Sequence, residues 1–476
     1  MEILAGMRDI EGAELFALDG LRQNLQGLLS GYGYQLLETP LLEKTEIYLR
    51  KAGGEFSAKL YAFSEPGGER VSLRPEFTAS VIRYFVGNSR KIALPARYQY
   101  AGPVLRYEEP SEGQYRQFHQ VGAELIGSAS PRADAEVLTL VSQCLSQVGL
   151  TGCRVAMSHV GMMSRLFEAL QISEAAQMFL LTSLPELSNG GDSLSSVRQK
   201  AKERGLLQAG QPQRPWASLL NLMGEAEARA LVGELVQGLG EDALGQRLSE
   251  EVVEGFLQRM RGSEDDSRLE RALKLASELA PIHGEPAHVL KESAKVLTSF
   301  ELDASCQGSF KEALSFLDGL PSIKLEVNFG LFRGIAYYSG IIFDVYPPQP
   351  SDSPLGGGGR YDGLIRAMGG QTDVAALGFA LTLERIAAAL SNGRGSSDVD
   401  SRSHRILVVP KSNSAYEAAI EMAEALRREG RIVEVDVVER ALEKSLEYAK
   451  AKGIKEILLV HPDKRSQRVS LTGRRS

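Results

Sequence analysis

Leu15, Phe16, Leu18, Leu21, Leu25, Leu28 and Leu29 recur at helical spacing, which predicts a helix over 11–31 that stops at Gly31. Tyr34–Leu37 then predicts a strand, closed by Thr39-Pro40. Between Lys59 and Leu73 apolar and polar residues alternate around Gly67-Gly68, the pattern of a hairpin. A helix is predicted from Pro75 to Val86. Strands follow at Tyr98–Arg106 and Tyr115–Ile126, joined by the polar loop Tyr107–Gln114, and then a helix from Asp134 to Val148. Strands and helices do not alternate one for one here. Residues 1–150 therefore predict an α+β unit with a mostly antiparallel sheet flanked by helices.

From 151 to 320 the texture changes. Segments such as 225–240 and 247–260 mix charged residues with Leu, Val and Phe at helical spacing, which predicts a mostly helical insertion. Strand texture returns in 321–390, with a helix from Thr382, and 391–403 reads as a Gly/Ser-rich linker. Within 404–476, strands at Arg405–Pro410, Val433–Val437 and Glu456–Val460 alternate with helices at 414–429 and 440–452. That alternation predicts a small α/β domain on a parallel sheet.

Composition adds bounds rather than a function. The chain has 476 residues, 43% of them apolar, which excludes wholesale disorder and fits roughly two to four domains. Lys and Arg number 54 against 61 Asp and Glu, a net charge of −7. This excludes a general nucleic-acid coat but not a local basic groove. Cys144, Cys153 and Cys306 are too scattered for a disulfide scaffold or a zinc ribbon, so a reducing, cytoplasmic setting is expected. No secretory pattern opens the chain and no apolar run approaches ~18 residues, so no membrane attachment is expected.

Polar chemistry concentrates in 73–124. On the strand Tyr115–Ile126, alternation puts Arg116, Phe118, Gln120, Gly122 and Glu124 on one face. Such a face is either solvated or lines a cleft that binds a zwitterionic ligand. His119 points the other way, toward a structural role. A second cluster, Phe332-Arg333-Gly334 through Tyr337-Tyr338, offers a guanidinium fork beside hydroxyl donors. A third, Gly356 to Gly363, lets backbone approach a ligand closely but lacks a P-loop ending. No metal-ligand spacing and no nucleophile elbow stands out.

Taken in order, these clusters resemble the core of the class II histidyl-tRNA synthetase family. Gly31–Tyr34 and Thr39–Glu43 resemble the dimer-forming first motif. Leu73–Thr78, Gly102–Glu108 and Arg116–Glu124 resemble the second motif and its flanks. Arg333–Tyr338 and Gly357–Gly363 are similar to the family's two histidine motifs, and Gly378–Arg385 to its third class motif. The resemblance implies a class II aminoacyl-tRNA synthetase-like core, a helical insertion and a short C-terminal anticodon-binding-like domain. It also implies a histidine pocket made by Glu76, Thr78, Arg106, Gln120, Glu124, Arg333, Tyr337 and Tyr338. A ligase would use Arg106 and Arg333 in catalysis and Arg106 and Arg385 on ATP.

Two members share this core: the ligase, and the silent regulatory subunit of ATP phosphoribosyltransferase in histidine biosynthesis. Departures from the ligase pattern decide the expectation. Phe77 stands where the ligase has Gly. The loop holds Glu108, Glu109 and Glu112 where basic residues face tRNA, Thr382 replaces a motif-3 Gly, and Ala336 replaces an acid. The sequence reading therefore expects a histidine-binding regulatory subunit, not an enzyme by itself, with no cofactor. Its partners would be a catalytic phosphoribosyltransferase subunit and a second copy or a larger hetero-oligomer. The alternative is a histidine–tRNA ligase using ATP and Mg with tRNA.

Overall fold

The computed structural model describes residues 2–50, 54–108, 115–207, 230, 266–317, 320, 322–334, 337–393, 405–438 and 440–469. The chain forms two units, Met1–Gly393 and Arg394–Ser476.

The first unit is built on strands β1 (Gln35–Leu36), β5 (Ala96–Leu105), β6 (Gln117–Ile126), β7 (Cys153–His159), β8 (His283–Gly284), β9 (Ile323–Asn328), β10 (Ile341–Tyr346), β11 (Gly356–Arg360) and β12 (Ala376–Thr382). They run in the order β1-β5-β6-β12-β11-β10-β7-β9-β8. Pairing is antiparallel except for β1 with β5 and β7 with β9. A three-stranded sheet of β2 (Leu42–Lys44), β3 (Ala62–Ser64) and β4 (Arg70–Leu73) carries the predicted hairpin.

Alternation along the strands separates the two faces. Val121, Ala123 and Leu125 of β6 and Leu377, Phe379 and Leu381 of β12 point into the larger core. There they meet Leu18, Leu25 and Leu29 of helix α1 (Gly12–Gly31) and Val137, Leu138 and Val141 of helix α3 (Pro131–Gln147). Tyr98, Tyr100 and Ala376 belong to a second core on the other face. It packs against Phe77 and against Val81, Ile82 and Phe85 of helix α2 (Thr78–Asn88). Between these apolar patches the second face carries Gln120, Gly122 and Glu124, as period-2 alternation requires.

The stretch 151–320 differs from the expected insertion. It opens with β7, which lies inside the large sheet between β10 and β9. Cys153, Val155, Ala156, Met157 and Ser158 are all buried, so the strand shows no polar alternation and merges into the helix Val160–Ala169 that follows. Helices at Glu174–Leu187, Ser193–Glu203, Asp266–Leu279 and Pro286–Ser299 contribute Leu180, Val197, Leu273 and Val289 to the same larger core. The segments 225–240 and 247–260 lie essentially outside the described residues, as do Glu109, Glu112 and Ala336. Helix α4 (Leu383–Gly393) runs into the start of the expected linker.

The second unit has strands β13 (Arg405–Pro410), β14 (Ile432–Val435), β15 (Glu456–Val460) and β16 (Ser466–Val469), ordered β14-β13-β15-β16. The first three are parallel; β16 is an additional antiparallel edge. Ile406 and Val408 pack on the helix Tyr416–Arg428, and Leu407 and Val409 pack near Ala449 of the helix Leu442–Lys452. Both sheet faces are thus covered, as a parallel sheet needs. Among the described residues no helix is long and apolar enough to cross a membrane.

Candidate active site

Cross-strand register lays a row of small residues across the second face of the large sheet. Tyr100 pairs with Gly122, Gly122 with Ala380, Ala380 with Gly357 and Gly357 with Asp344. The neighbouring row runs from Tyr98 through Glu124, Gly378 and Gly359 to Ile342. The glycines leave a floor, and side chains at the two ends form walls. A Cβ at Gly378 would strike the Glu124 carboxylate, and one at Gly122 would strike the Tyr100 ring.

Glu124 is fully buried. Thr78 Oγ1 donates to its Oε1 at 2.8 Å, Tyr100 Oη donates to the same oxygen at 3.0 Å, and Tyr361 Oη donates to Oε2. No cation neutralises it through these contacts. Burial pushes its pKa up to about 8, against the opposing pull of the hydroxyl donors. Glu76 is also buried. Its carboxylate accepts from the backbone N–H of Ala79 at 2.9 Å and from that of Thr78, so it caps the start of α2. Burial raises its pKa too.

Gln120 is buried, and its Oε1 has no hydrogen-bond partner. An acceptor left this way on a site face awaits a donor. The Tyr337 ring lies 5.0 Å from that of Tyr338 and 5.7 Å from that of Tyr361. Burial raises the pKa of all three hydroxyls.

The arginines gather at the same end of the sheet. Arg106 Nε donates to the Pro75 carbonyl at 2.8 Å, and its guanidinium lies 5.4 Å from the Phe118 ring. Arg385 Nη1 donates to the Pro354 carbonyl at 2.7 Å. Burial lowers the pKa of both. A cavity lies between them, walled by Glu108, Phe118, Thr382 and Glu384. Arg333 Nη1 donates to the Phe343 carbonyl at 2.8 Å and to Asp344 Oδ1. Burial acts to lower its pKa, and Asp344 together with Tyr338 and Tyr337 overcomes that and raises it.

The structure thus brings together Glu76, Thr78, Gln120, Glu124, Tyr337 and Tyr338 around one floor, with Arg106, Arg333 and Arg385 beside it. Tyr100, Tyr361, Asp344 and Glu384 join them without having been singled out. Tyr100 was legible as the residue that period-2 pairing places on Gly122's face. Glu384 accepts from both the His119 backbone N–H, at 3.0 Å, and His119 Nδ1, at 2.8 Å, which gives His119 its structural role.

The site also answers one departure. Phe77 stacks on Tyr100 with ring centroids 4.3 Å apart and planes 9° apart, beneath the Arg74 guanidinium. Room comes from Gly102, where a Cβ would sit 3.3 Å from Phe77 Cζ. Phe77 is therefore part of the core beneath the site rather than an obstruction in it.

The sequence model of the histidyl-tRNA synthetase family matches residues 6–209 and 230–386. The histidine–tRNA ligase of Methanocaldococcus jannaschii is 28% identical over 457 residues, covering 96% of this chain and 90% of that protein. That of Thermococcus kodakarensis is 28% identical over 465 residues, 97% of this chain and 91% of its own. Among solved structures, an ATP phosphoribosyltransferase regulatory subunit/histidyl-tRNA synthetase from Bacillus halodurans C superposes with a TM-score of 0.68. It covers 97% of this chain and 98% of its own at 19% identity. Likeness at that identity speaks for the fold alone. It bears out the α+β, class II synthetase-like architecture. The regulatory-subunit expectation is overturned, because the curated relatives that align along nearly the whole chain carry the ligase name. The chain belongs to the histidyl-tRNA synthetase family.

Proposed function

We propose that this chain is a histidine–tRNA ligase, an enzyme that joins histidine to ATP as histidyl-adenylate and passes the histidyl group to tRNA. The observation that carries the reading is a buried, uncompensated carboxylate, Glu124, across one glycine floor from a group of arginines. That separation of charge suits a zwitterionic amino acid whose carboxylate must meet a polyphosphate.

In this reading the histidine ammonium binds at Glu124 beside Thr78, and the Gln120 Oε1 accepts one of its protons. Tyr337 and Tyr338 line the imidazole side. Arg106 draws the histidine carboxylate and the ATP α-phosphate together. One carboxylate oxygen attacks the α-phosphorus, and the bond to the β-phosphate oxygen breaks, releasing pyrophosphate. Arg333 offers N–H donors to the charge that builds on the α-phosphate, and Arg385 holds the far end of the triphosphate. Phe118 is placed to stack on a base. A magnesium ion on the triphosphate needs only one or two carboxylates. Glu108 and Glu384 on the cavity wall fit that role, and the ion would neutralise phosphate charge. Among the described residues no group of three acidic, His or Cys side chains forms a cage of its own.

The second unit would serve the anticodon arm of the tRNA. A two-fold dimer would form through α1, β1 and the entry to β2, where Leu15, Phe16, Leu36, Leu41 and Leu42 are all exposed. The test is histidine-dependent exchange of pyrophosphate into ATP, followed by charging of tRNA. Exchange with histidine, and none with other amino acids, is the expected result. Purified chain that gives no exchange overturns the reading.

A further inference from the structure

Arg333 lies on a loop after β9, one residue before Gly334, whose φ of 67° turns the chain back. A long side chain on such a loop has many rotamers, and a donor useful in a transition state needs one. The sheet supplies the constraint. Nη1 is tied to the Phe343 carbonyl at 2.8 Å and to Asp344 Oδ1, both on β10. Any side chain at Gly357, the β11 partner of Asp344, would strike Arg333 Nη1, the Phe343 carbonyl and Asp344 Oδ1. The guanidinium thus occupies a slot that only glycine leaves open.

Two further observations point outward from that slot. Arg333 Nε is buried and has no hydrogen-bond partner, so one N–H is held in reserve. The Asp344 charge also acts on Arg385, so the carboxylate that holds Arg333 is felt by a second guanidinium of the site. A purely structural ion pair within the sheet would need neither the free donor nor the second arginine.

We infer that Asp344 is a positioning residue for adenylate formation, holding Arg333 in the Gly357 slot so that its remaining N–H groups meet the α-phosphate. It touches no substrate itself. Asp344→Asn keeps the shape and an oxygen acceptor but removes the charge, and Asp344→Glu keeps the charge.

The assignment rests on the ligase reading, and the experiment separates the two. Pyrophosphate exchange is measured for wild type, D344N, D344E, R333A and the D344N/R333A double variant, with kcat and the KM for histidine and for ATP obtained separately. D344N is expected to lose roughly 10²-fold in kcat, the scale of a misplaced group, with both KM values within about threefold. D344E is expected to recover most of that loss. In the R333A background D344N should add less than about twofold, because the two residues act as one unit. A D344N enzyme with wild-type kcat beside an active wild type overturns the assignment alone. So does a D344N loss that persists in full without Arg333. An inactive wild type overturns the ligase reading and takes this assignment with it.

Discussion

Glu124 is the group whose chemistry the fold shapes most, and Glu124→Gln is the sharpest way to expose it. Three hydroxyls, from Thr78, Tyr100 and Tyr361, donate to its carboxylate, and burial still pushes its pKa up to about 8. At pH 7 only about one empty site in ten then carries the negative charge; at pH 8 about one in two does. An arriving ammonium group requires that charge, so binding must expel the proton. Histidine affinity should therefore tighten about fivefold between pH 7 and pH 8, with close to one proton released per site at the lower pH. The imidazole of free histidine is mostly neutral throughout this window and contributes little to the slope. Calorimetry in two buffers of different ionisation enthalpy reads both quantities. E124Q, which cannot carry the charge, should bind at least tenfold more weakly at pH 8 with no slope and no proton release. A wild type that releases no proton, or an E124Q variant with an unchanged slope, refutes the assignment. The sign for stability runs the other way from binding. From about pH 4.5 to 8 the empty folded chain holds a proton that the unfolded chain has lost, so its stability falls as pH rises through that window.

The remaining predictions concern the frame around the pocket. Phe77→Ala removes a buried ring stacked on Tyr100, and should cost about 3–5 kcal/mol in urea unfolding; a loss below about 1 kcal/mol would mean the ring is not part of the core. Asp134→Ala leaves Arg360 buried after removing the acceptor of its Nε at 3.0 Å, with only the half-exposed Asp362 still paired to it. It should cost about 3 kcal/mol or more, read by the same unfolding curve, and an unchanged midpoint would count against the pair. Phe16→Asp puts a charge into the exposed apolar strip of α1. Sedimentation should show the proposed dimer shifted to monomer with the fold intact, and an association state unaltered from wild type would place the interface elsewhere.

Periodicity carried a large part of this architecture. The helix at 11–31, the hairpin around Gly67-Gly68 and the two long strands at 98–106 and 115–126 all follow from patterns of period 3.6 or 2. The same period-2 rule placed Gln120, Gly122 and Glu124 on one face, and the register of β6 with β12 puts them there. What periodicity could not carry was β7, buried on both faces and flanked by an apolar helix. Nor could it carry the partners that pairing brings in from far along the chain. Tyr361 reaches Glu124 across 237 positions and Glu384 reaches His119 across 265, and no local pattern announces either contact.

The acidic loop misled for a related reason. Charge counted along a segment says nothing about which neighbours the fold supplies. Glu108 lies 3.8 Å from Lys59 and opposite Arg385 on the cavity wall, so its charge enters a mixed setting rather than a bare negative one. Phe77 repeats the lesson in packing. Judged against a family glycine it would crowd the pocket, yet Gly102 on the adjoining strand gives back the volume. The ring then packs flat on Tyr100 in the core beneath the site and takes no space from the pocket. A departure from a motif is evidence of lost chemistry only when the new side chain has nowhere to pack but the site. Phe77 packs on Tyr100 beneath the floor, and the carboxylates and arginines of the pocket remain gathered above it.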